Sequence, residues 1–309
     1  MKIVFFGTDF SRNILASLFE RGNIHILATV SQPDKPIGRK KEYIPTPVHQ
    51  FSKEYTIPIF QPEKLRENTD FFQVLEDFQA DFFVVVAYGK IIPPEILNIP
   101  KYGCINVHGS ILPAYRGASP IQEAIKNGDT QTGVTIMYMS QGMDEGDMLS
   151  TEKIDIEKND TTPDIFSKFE KITPKLLENT LQDIFDKKII SCPQSHENAT
   201  YCSKIEKEDG HIFFQSQSGQ QIYNLYRAYI SWPGIYTKLD EKTLKILSCQ
   251  FQKTSEKYHI GQFFLQNGQF FIQCSDGILE IFEVQLEKKK MNIVDFVNGQ
   301  KNIIGFIFP

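Results

Sequence analysis

The sequence predicts an open, mostly parallel α/β sheet followed by a smaller β-rich domain. Three observations carry this expectation. The run "FFVVVA", Phe82 to Ala87, is apolar without alternation, as in strands buried on both faces of a parallel sheet. Helical periodicity falls between such runs, with Ile14, Leu15 and Leu18 on one face as an example. From about Ala199 the grain changes to short runs separated by turn residues.

In chain order, "KIVFFG" reads as a strand ending at Gly7, and a helix follows from Ser11 to Arg21. A strand spans Ile24 to Val30. A Pro- and Lys-rich segment, "QPDKPIGRKKEYIPTPV", then interrupts the rhythm. Helices are predicted near Pro47 to Tyr55 and Asn68 to Phe78, the second leading into the Phe82 strand. "CINVH" and "TGVTIMYM" are further strands, with a helix near Ser119 to Asn127 between them. A long helical pattern runs from Thr162 to Asp186. Strands alternating with helices are the signature of an α/β sheet. Beyond it, "HIFF", "GIYTKL", "LKILSCQF" and "GQFFLQNGQFFIQCSDGILEIFEVQL" suit a small barrel or sandwich. The expected division is residues 1–190, a linker over 191–198 ("SCPQSHEN"), and residues 199–309.

At 309 residues the chain has room for two domains. The net charge of −5 supplies no global basic field, so any nucleic acid must be met by a local patch. The five cysteines form no C-x-x-C pair and no histidines cluster beside them, so they are read as reduced and packed, with no metal site. The opening "MKIVFFGTDF" is not a signal peptide, and no apolar run approaches the ~20 residues needed to span a bilayer. A cytoplasmic monomer is expected.

The candidate chemistry lies in "GCINVHGSILPAYRG", Gly103 to Gly117. Side chains alternate across a strand, so Asn106 and His108 point to the same side. Both sit at the carboxyl end of their strand, where open α/β sheets bind ligands. By itself this pair has a second reading: Asn106 ties down a turn and His108 is a satisfied core histidine. Two features favour the pocket. "SQGMDEGDMLS" packs Asp144, Glu145 and Asp147 between glycines just after another strand, where a carboxylate can hold an imidazole and favour its charged form. "VVVAYGKIIPP" offers apolar walls, Ile91 among them, on the strand next in order. An acidic turn in solvent and an ordinary strand-to-helix connection are the corresponding plain readings.

These segments together resemble the formyltransferases that use 10-formyltetrahydrofolate. The residues that carry the likeness are "FFGTDF", "SQPDKPIGRKKEYIPTPV", "VVVAYGKIIP", "GCINVHGSILPAYRGASPIQ", "GDTQTGVTIMYMSQGMDEGDML" and "AYISWPG". The basic, Pro-bounded loop and the second domain point to the branch that formylates initiator methionyl-tRNA. The resemblance implies a Rossmann-like catalytic domain and a C-terminal β-barrel of the OB type that contacts tRNA. It implies Asn106, His108 and Asp144 as catalytic residues. Ser110, Ile111, Leu112 and Pro113 are implied as contacts to the folate donor, and Ile91, an apolar wall by its own loop's composition, is placed with them. The basic residues Lys35, Arg39, Lys40 and Lys41 read either as a solvated surface loop or as phosphate contacts, and the resemblance favours contacts to the tRNA; Arg227 and Lys288 to Lys290 are further candidate phosphate contacts by their charge. Trp232 is either a base-stacking platform or core. Two departures stand out: "GTDF" lacks the proline usual in that turn, and Glu145 replaces a threonine. The alternative functions on the same scaffold are a sugar-nucleotide N-formyltransferase and a formyl-tetrahydrofolate hydrolase. A dinucleotide-dependent oxidoreductase is set aside, because no G-x-G-x-x-G follows the first strand.

Overall fold

The computed structural model describes residues 1–37, 42–255, 257–300 and 302–309. The chain divides into two compact units. The first comprises Met1–Pro120, Thr132–Asp155 and Ser167–Cys202; the second comprises Ile121–Gln131, Ile156–Phe166 and Ser203–Pro309. Residues 191–198, read in the sequence as a linker, lie in the first unit.

The elements run β1 (Lys2–Gly7), α1 (Ser11–Phe19), β2 (His25–Val30), β3 (Lys35–Ile37), β4 (Glu42–Ile44), α2 (Pro47–Glu54), β5 (Ile59–Phe60), α3 (Thr69–Asp77), β6 (Phe82–Val86), α4 (Pro94–Leu97), β7 (Cys104–His108), β8 (Arg116–Gly117), α5 (Pro120–Asn127), β9 (Gln131–Tyr138), β10 (Met148–Asp155) and α6 (Thr162–Phe185). Two of the predicted helices begin on visible caps. The Thr46 hydroxyl accepts from His49 N–H with Pro47 in the first turn, and the Asn68 side-chain carbonyl accepts from Phe71 N–H.

The main sheet has the order β10-β9-β7-β6-β1-β2-β5. β5, β2, β1, β6 and β7 are parallel neighbours, and β9 joins β7 antiparallel. The mostly parallel sheet expected from the apolar runs is therefore observed. Every residue of β6 is buried, as its unalternating sequence requires. Phe6, Val30, Leu75, Phe83 and Tyr88 belong to one continuous core on this sheet. Because the central strands are parallel, the residues after β1, β2, β6 and β7 all emerge at one edge.

β3 and β4 form a two-stranded antiparallel hairpin inside the Pro- and Lys-rich segment, where the sequence suggested only a loop. Its root is tied down by Asp34. One carboxylate oxygen accepts from Thr46 N–H at 3.2 Å and from Gln61 Nε2 at 2.7 Å, and His49 Nδ1 lies 3.0 Å from both oxygens.

The second unit holds α7 (Gly219–Tyr229), β12 (Ile235–Leu239), β13 (Lys242–Lys253), β14 (Phe263–Gln266), β15 (Gln269–Cys274), β16 (Gly277–Leu286), β17 (Lys289–Asn292) and α8 (Ile293–Gly299), preceded in the first unit by β11 (Tyr201–Cys202). Its antiparallel sheet has the order β12-β13-β16-β15-β14, with β17 on β16. Register shifts between β13 and β16 let these long strands bend and twist. Two expectations are corrected here. "HIFF" is not a strand; its only ladder pairing among the described residues is the bridge from His211 to Tyr236. α7 and α8 are helices in a stretch read as β. α7 carries a reciprocal capping box between Ser218 and Gln221, and its buried Ile222, Leu225 and Tyr229 recur at helical spacing.

Burial raises the Asp34 carboxyl, but the bonds from His49, Gln61 and the Thr46 N–H outweigh it and lower the pKa below the ordinary 3.8. A lowered folded-state value stabilises the fold above the unfolded value, and that stabilisation is lost as pH falls through the folded one. Urea midpoints measured from pH 5 down to pH 2.5 should therefore fall more steeply for the wild type than for Asp34→Asn. Parallel curves would show that this carboxylate does not couple to folding.

Candidate active site

Asn106 and His108 lie on β7 with Val107 between them, two residues apart on one face of the sheet. His108 is 5% exposed. Asp144 arrives from the connection between β9 and β10, in a left-handed conformation with φ of 52° that aspartate tolerates better than most residues. The three side chains meet. One Asp144 oxygen accepts from Asn106 Nδ2 at 3.2 Å, and the other lies 3.6 Å from His108 Nδ1. The second oxygen also accepts from Gly117 N–H at 3.0 Å.

The partners settle which ring nitrogen carries hydrogen. His108 Nε2 lies 2.9 Å from the Tyr115 carbonyl, which can only accept, so Nε2 donates to it. Nδ1 faces the Asp144 carboxylate. The expectation of a ring held by the carboxylate is thereby refined. The carbonyl fixes the ring directly, while the carboxylate stands across from its opposite nitrogen. Tyr115 itself has a φ of 59°, and the turn it makes aims that carbonyl at the ring.

Gly117 is required where it stands. Its φ is 123°, and an added Cβ would lie 2.1 Å from the Cys202 carbonyl oxygen. β8 pairs with β11 in parallel, so the 200–202 backbone braces the segment that contacts both His108 and Asp144.

The Ser110–Pro113 segment follows β7 directly. Ser110 and Leu112 are buried, while Ile111 and Pro113 are half-buried. Ser110 Oγ donates to the Ala114 carbonyl at 2.6 Å, which closes the turn. Thr135 Oγ1, from β9, donates to the Ser110 carbonyl at 2.7 Å and accepts from Leu112 N–H at 3.2 Å. The path of this segment is set from inside. Ile91 is 75% exposed on the connection after β6, at the same sheet edge. Lys35 is exposed on β3, and its Nζ donates to Gln32 Oε1 at 3.3 Å. Arg39, Lys40 and Lys41 lie outside the described residues. In the second unit Lys288 to Lys290 are exposed and Trp232 is 55% exposed, so the indole is not core. Arg227, by contrast, is buried and donates to the Asp160 carbonyl and Asn224 Oδ1 at 3.0 and 2.7 Å. It is not presented to phosphates.

Two residues next to this site were not singled out from the sequence. Arg116 is 0% exposed, and Nε and Nη2 both donate to Gln194 Oε1 at 3.0 and 2.8 Å. Gln194 was read as linker. Glu145, the departure noted beside Asp144, lies 3.9 Å from Arg116 Nη1 and supplies a countercharge. Its side chain fills the space a Cβ on Gly142 would need. Cys104, deeper on β7, is buried, and burial pushes its thiol far up, so it is no nucleophile.

Residues 1–181 match the formyl transferase family, and residues 204–301 match the formyl transferase C-terminal domain. The chain belongs to the formyl transferase family. It is 43% identical to the methionyl-tRNA formyltransferase of Caldicellulosiruptor saccharolyticus, over 97% of each chain. The protein of the same name from Listeria monocytogenes is 39% identical over 96% of this chain and 95% of its own. Among solved structures, WlaRD, a sugar 3N-formyl transferase, matches with a TM-score of 0.65 at 20% identity, covering 93% of this chain and 98% of its own. HypX from Aquifex aeolicus matches with a TM-score of 0.66 at 16% identity, covering 99% of this chain and 48% of its own. These structural likenesses concern the fold.

Gly117→Ala tests the brace. The β8–β11 pair must separate to admit the methyl group, and a loss of at least ~2 kcal/mol in unfolding free energy is expected. Thermal and urea unfolding measure it; an unchanged midpoint would mean the close approach to Cys202 is not needed.

Proposed function

We propose that this protein transfers the formyl group of 10-formyltetrahydrofolate to the α-amino group of methionine esterified to initiator tRNA. The observation that carries the reading is the Asp144 carboxylate standing between Asn106 Nδ2 and His108 Nδ1 at the carboxyl end of β7. Near full-length similarity to proteins named for this activity supports it.

The neutral amine attacks the formyl carbon, a C–N bond forms, and the carbonyl oxygen becomes an oxyanion. An amide nitrogen has two hydrogens. One from Asn106 is held by Asp144, which turns the other toward the developing charge. His108 Nδ1, when it carries a proton, is the second donor. Such donors cost nothing to reorient when fixed in advance, and each is worth about 10²–10³ in rate. Asp144 receives a proton from the attacking nitrogen, directly or through water, and the proton passes to the folate nitrogen as the old C–N bond breaks. The formyl group ends on methionine and the folate leaves with an N–H. No enzyme-bound acyl group forms.

For the donor, Ile91, Ile111 and Pro113 offer apolar surface, and the Ser110–Leu112 backbone is held in shape by Thr135. For the tRNA, Lys35 sits at the base of the β3–β4 hairpin whose connecting residues include Arg39, Lys40 and Lys41. Cations on such a hairpin suit acceptor-stem phosphates.

Incubation with 10-formyltetrahydrofolate and either methionyl initiator tRNA or amino-sugar nucleotides decides the acceptor. Formylation of the sugars alone would overturn the proposal. His108→Ala should lower transfer by about 10²–10³ while tRNA affinity is kept, and wild-type turnover in that variant would remove His108 from the mechanism. Replacing Arg39, Lys40 and Lys41 together by Ala should raise KM for tRNA. It should also flatten the dependence of log KM on log salt, by roughly 0.7–0.9 for each phosphate that is no longer neutralised. An unchanged salt slope would exclude the hairpin as a phosphate-binding element.

A further inference from the structure

Arg116 is a fully buried guanidinium whose one carboxylate neighbour, Glu145, stands 3.9 Å from Nη1, beyond hydrogen-bond distance. A buried charge is tolerated only when its donors are satisfied. Here Nε and Nη2 converge on one acceptor, Gln194 Oε1, and Nη1 lies 3.3 Å from His196 Nδ1 and 3.4 Å from the Tyr201 hydroxyl. All three partners lie between residues 194 and 201, in the first unit.

Gln194 does more than absorb that charge. Its Nε2 donates to the Asp144 carbonyl at 2.9 Å and to the Gly146 carbonyl at 2.7 Å. All the usual bonding capacity of the amide is thus used: two acceptances from Arg116 and two donations to the connection that carries Asp144. Arg116 is also flanked by the two backbone groups that touch the site, the Tyr115 carbonyl on His108 and the Gly117 N–H on Asp144. One guanidinium–amide unit therefore joins the chain on both sides of the Asp144 carboxylate.

We propose that Gln194 is a positioning residue, whose side-chain amide ties the buried Arg116 guanidinium to the Asp144 and Gly146 carbonyls and so holds the Asp144 carboxylate between Asn106 and His108. The proposal rests on the catalytic roles given above to those three residues. Asp144 occupies a left-handed conformation that other arrangements of its connection would relax. Donation to its carbonyl removes that freedom. Only an amide can meet both sides, because the guanidinium offers donors alone and the two carbonyls offer acceptors alone.

Gln194→Glu separates positioning from stability. A carboxylate still accepts from Arg116, but it presents oxygen to the two carbonyls and pushes them away. Formyl transfer by the full chain should show kcat reduced tenfold or more, with KM for both substrates within about twofold and the thermal midpoint kept. In ¹⁵N-histidine spectra, the His108 ring-nitrogen signals, assigned by comparison with His108→Gln, should move. Gln194→Met, of similar size without polar atoms, should show the same displacement of the His108 signals if it folds.

A Gln194→Glu protein with wild-type kcat would overturn the proposal. So would reduced kcat with unmoved His108 signals, or a fall in kcat matched by loss of fold in Gln194→Glu. The spectra need no substrate. Failure of the wild type to formylate methionyl-tRNA would count against the proposed reaction, while unmoved His108 signals would count against the positioning role.

Discussion

The Asp144 carboxylate accepts from the Asn106 amide and the Gly117 N–H, and it faces His108 Nδ1. It thereby joins three stretches of chain at one point: the end of β7, the β8 segment, and the connection leaving β9. A carboxylate with so many polar neighbours has little rotational freedom. Its position decides which hydrogen of Asn106 is spent internally and which remains for a ligand. It also decides what the uncommitted side of the His108 ring confronts. The proposed chemistry depends on this arrangement more than on any one of the three residues alone.

The surrounding fold supplies rigidity at this place. Parallel strands deliver their carboxyl ends to one edge, and a strand holds alternate side chains on one face with little local freedom. Thr135 on β9 fixes the backbone of residues 110–112 from beneath. Tyr115 fixes the histidine ring through its carbonyl. β11 closes against β8 from the far side, at a glycine that no larger residue can replace without movement. Each of these contacts is made by backbone or by a short side chain, the groups that lose the least conformational entropy on ordering.

Asn106 and His108 were legible because strand periodicity is a local property, and two polar residues ending an apolar run are conspicuous. The acidic turn was legible between glycines after a strand, but it offered Asp144, Glu145 and Asp147 alike, and only the family resemblance singled out Asp144. The caps of α2 and α3 could be read directly. α7 was equally readable from Ser218, Gln221 and its apolar spacing, but the β character of its neighbours obscured it. β10 was harder: "MLSTEKID" has one buried residue, so its pairing rather than its pattern makes it a strand. Arg227 looked like a phosphate contact because a sequence does not say which arginines are buried.

The sequence by itself determined the α/β sheet, the β-rich second unit, the family, and the identities of the three residues that meet at the end of β7. These follow from periodicity and motif, which act over a few neighbouring positions. Only the tertiary structure decided that His108 gives its Nε2 hydrogen to Tyr115, that Arg116 is buried, and that Gln194, 78 residues further along the chain, accepts from it. A hydrogen bond requires two groups within about 3 Å of one another. Chain positions so far apart reach that distance only once the strands between them have paired.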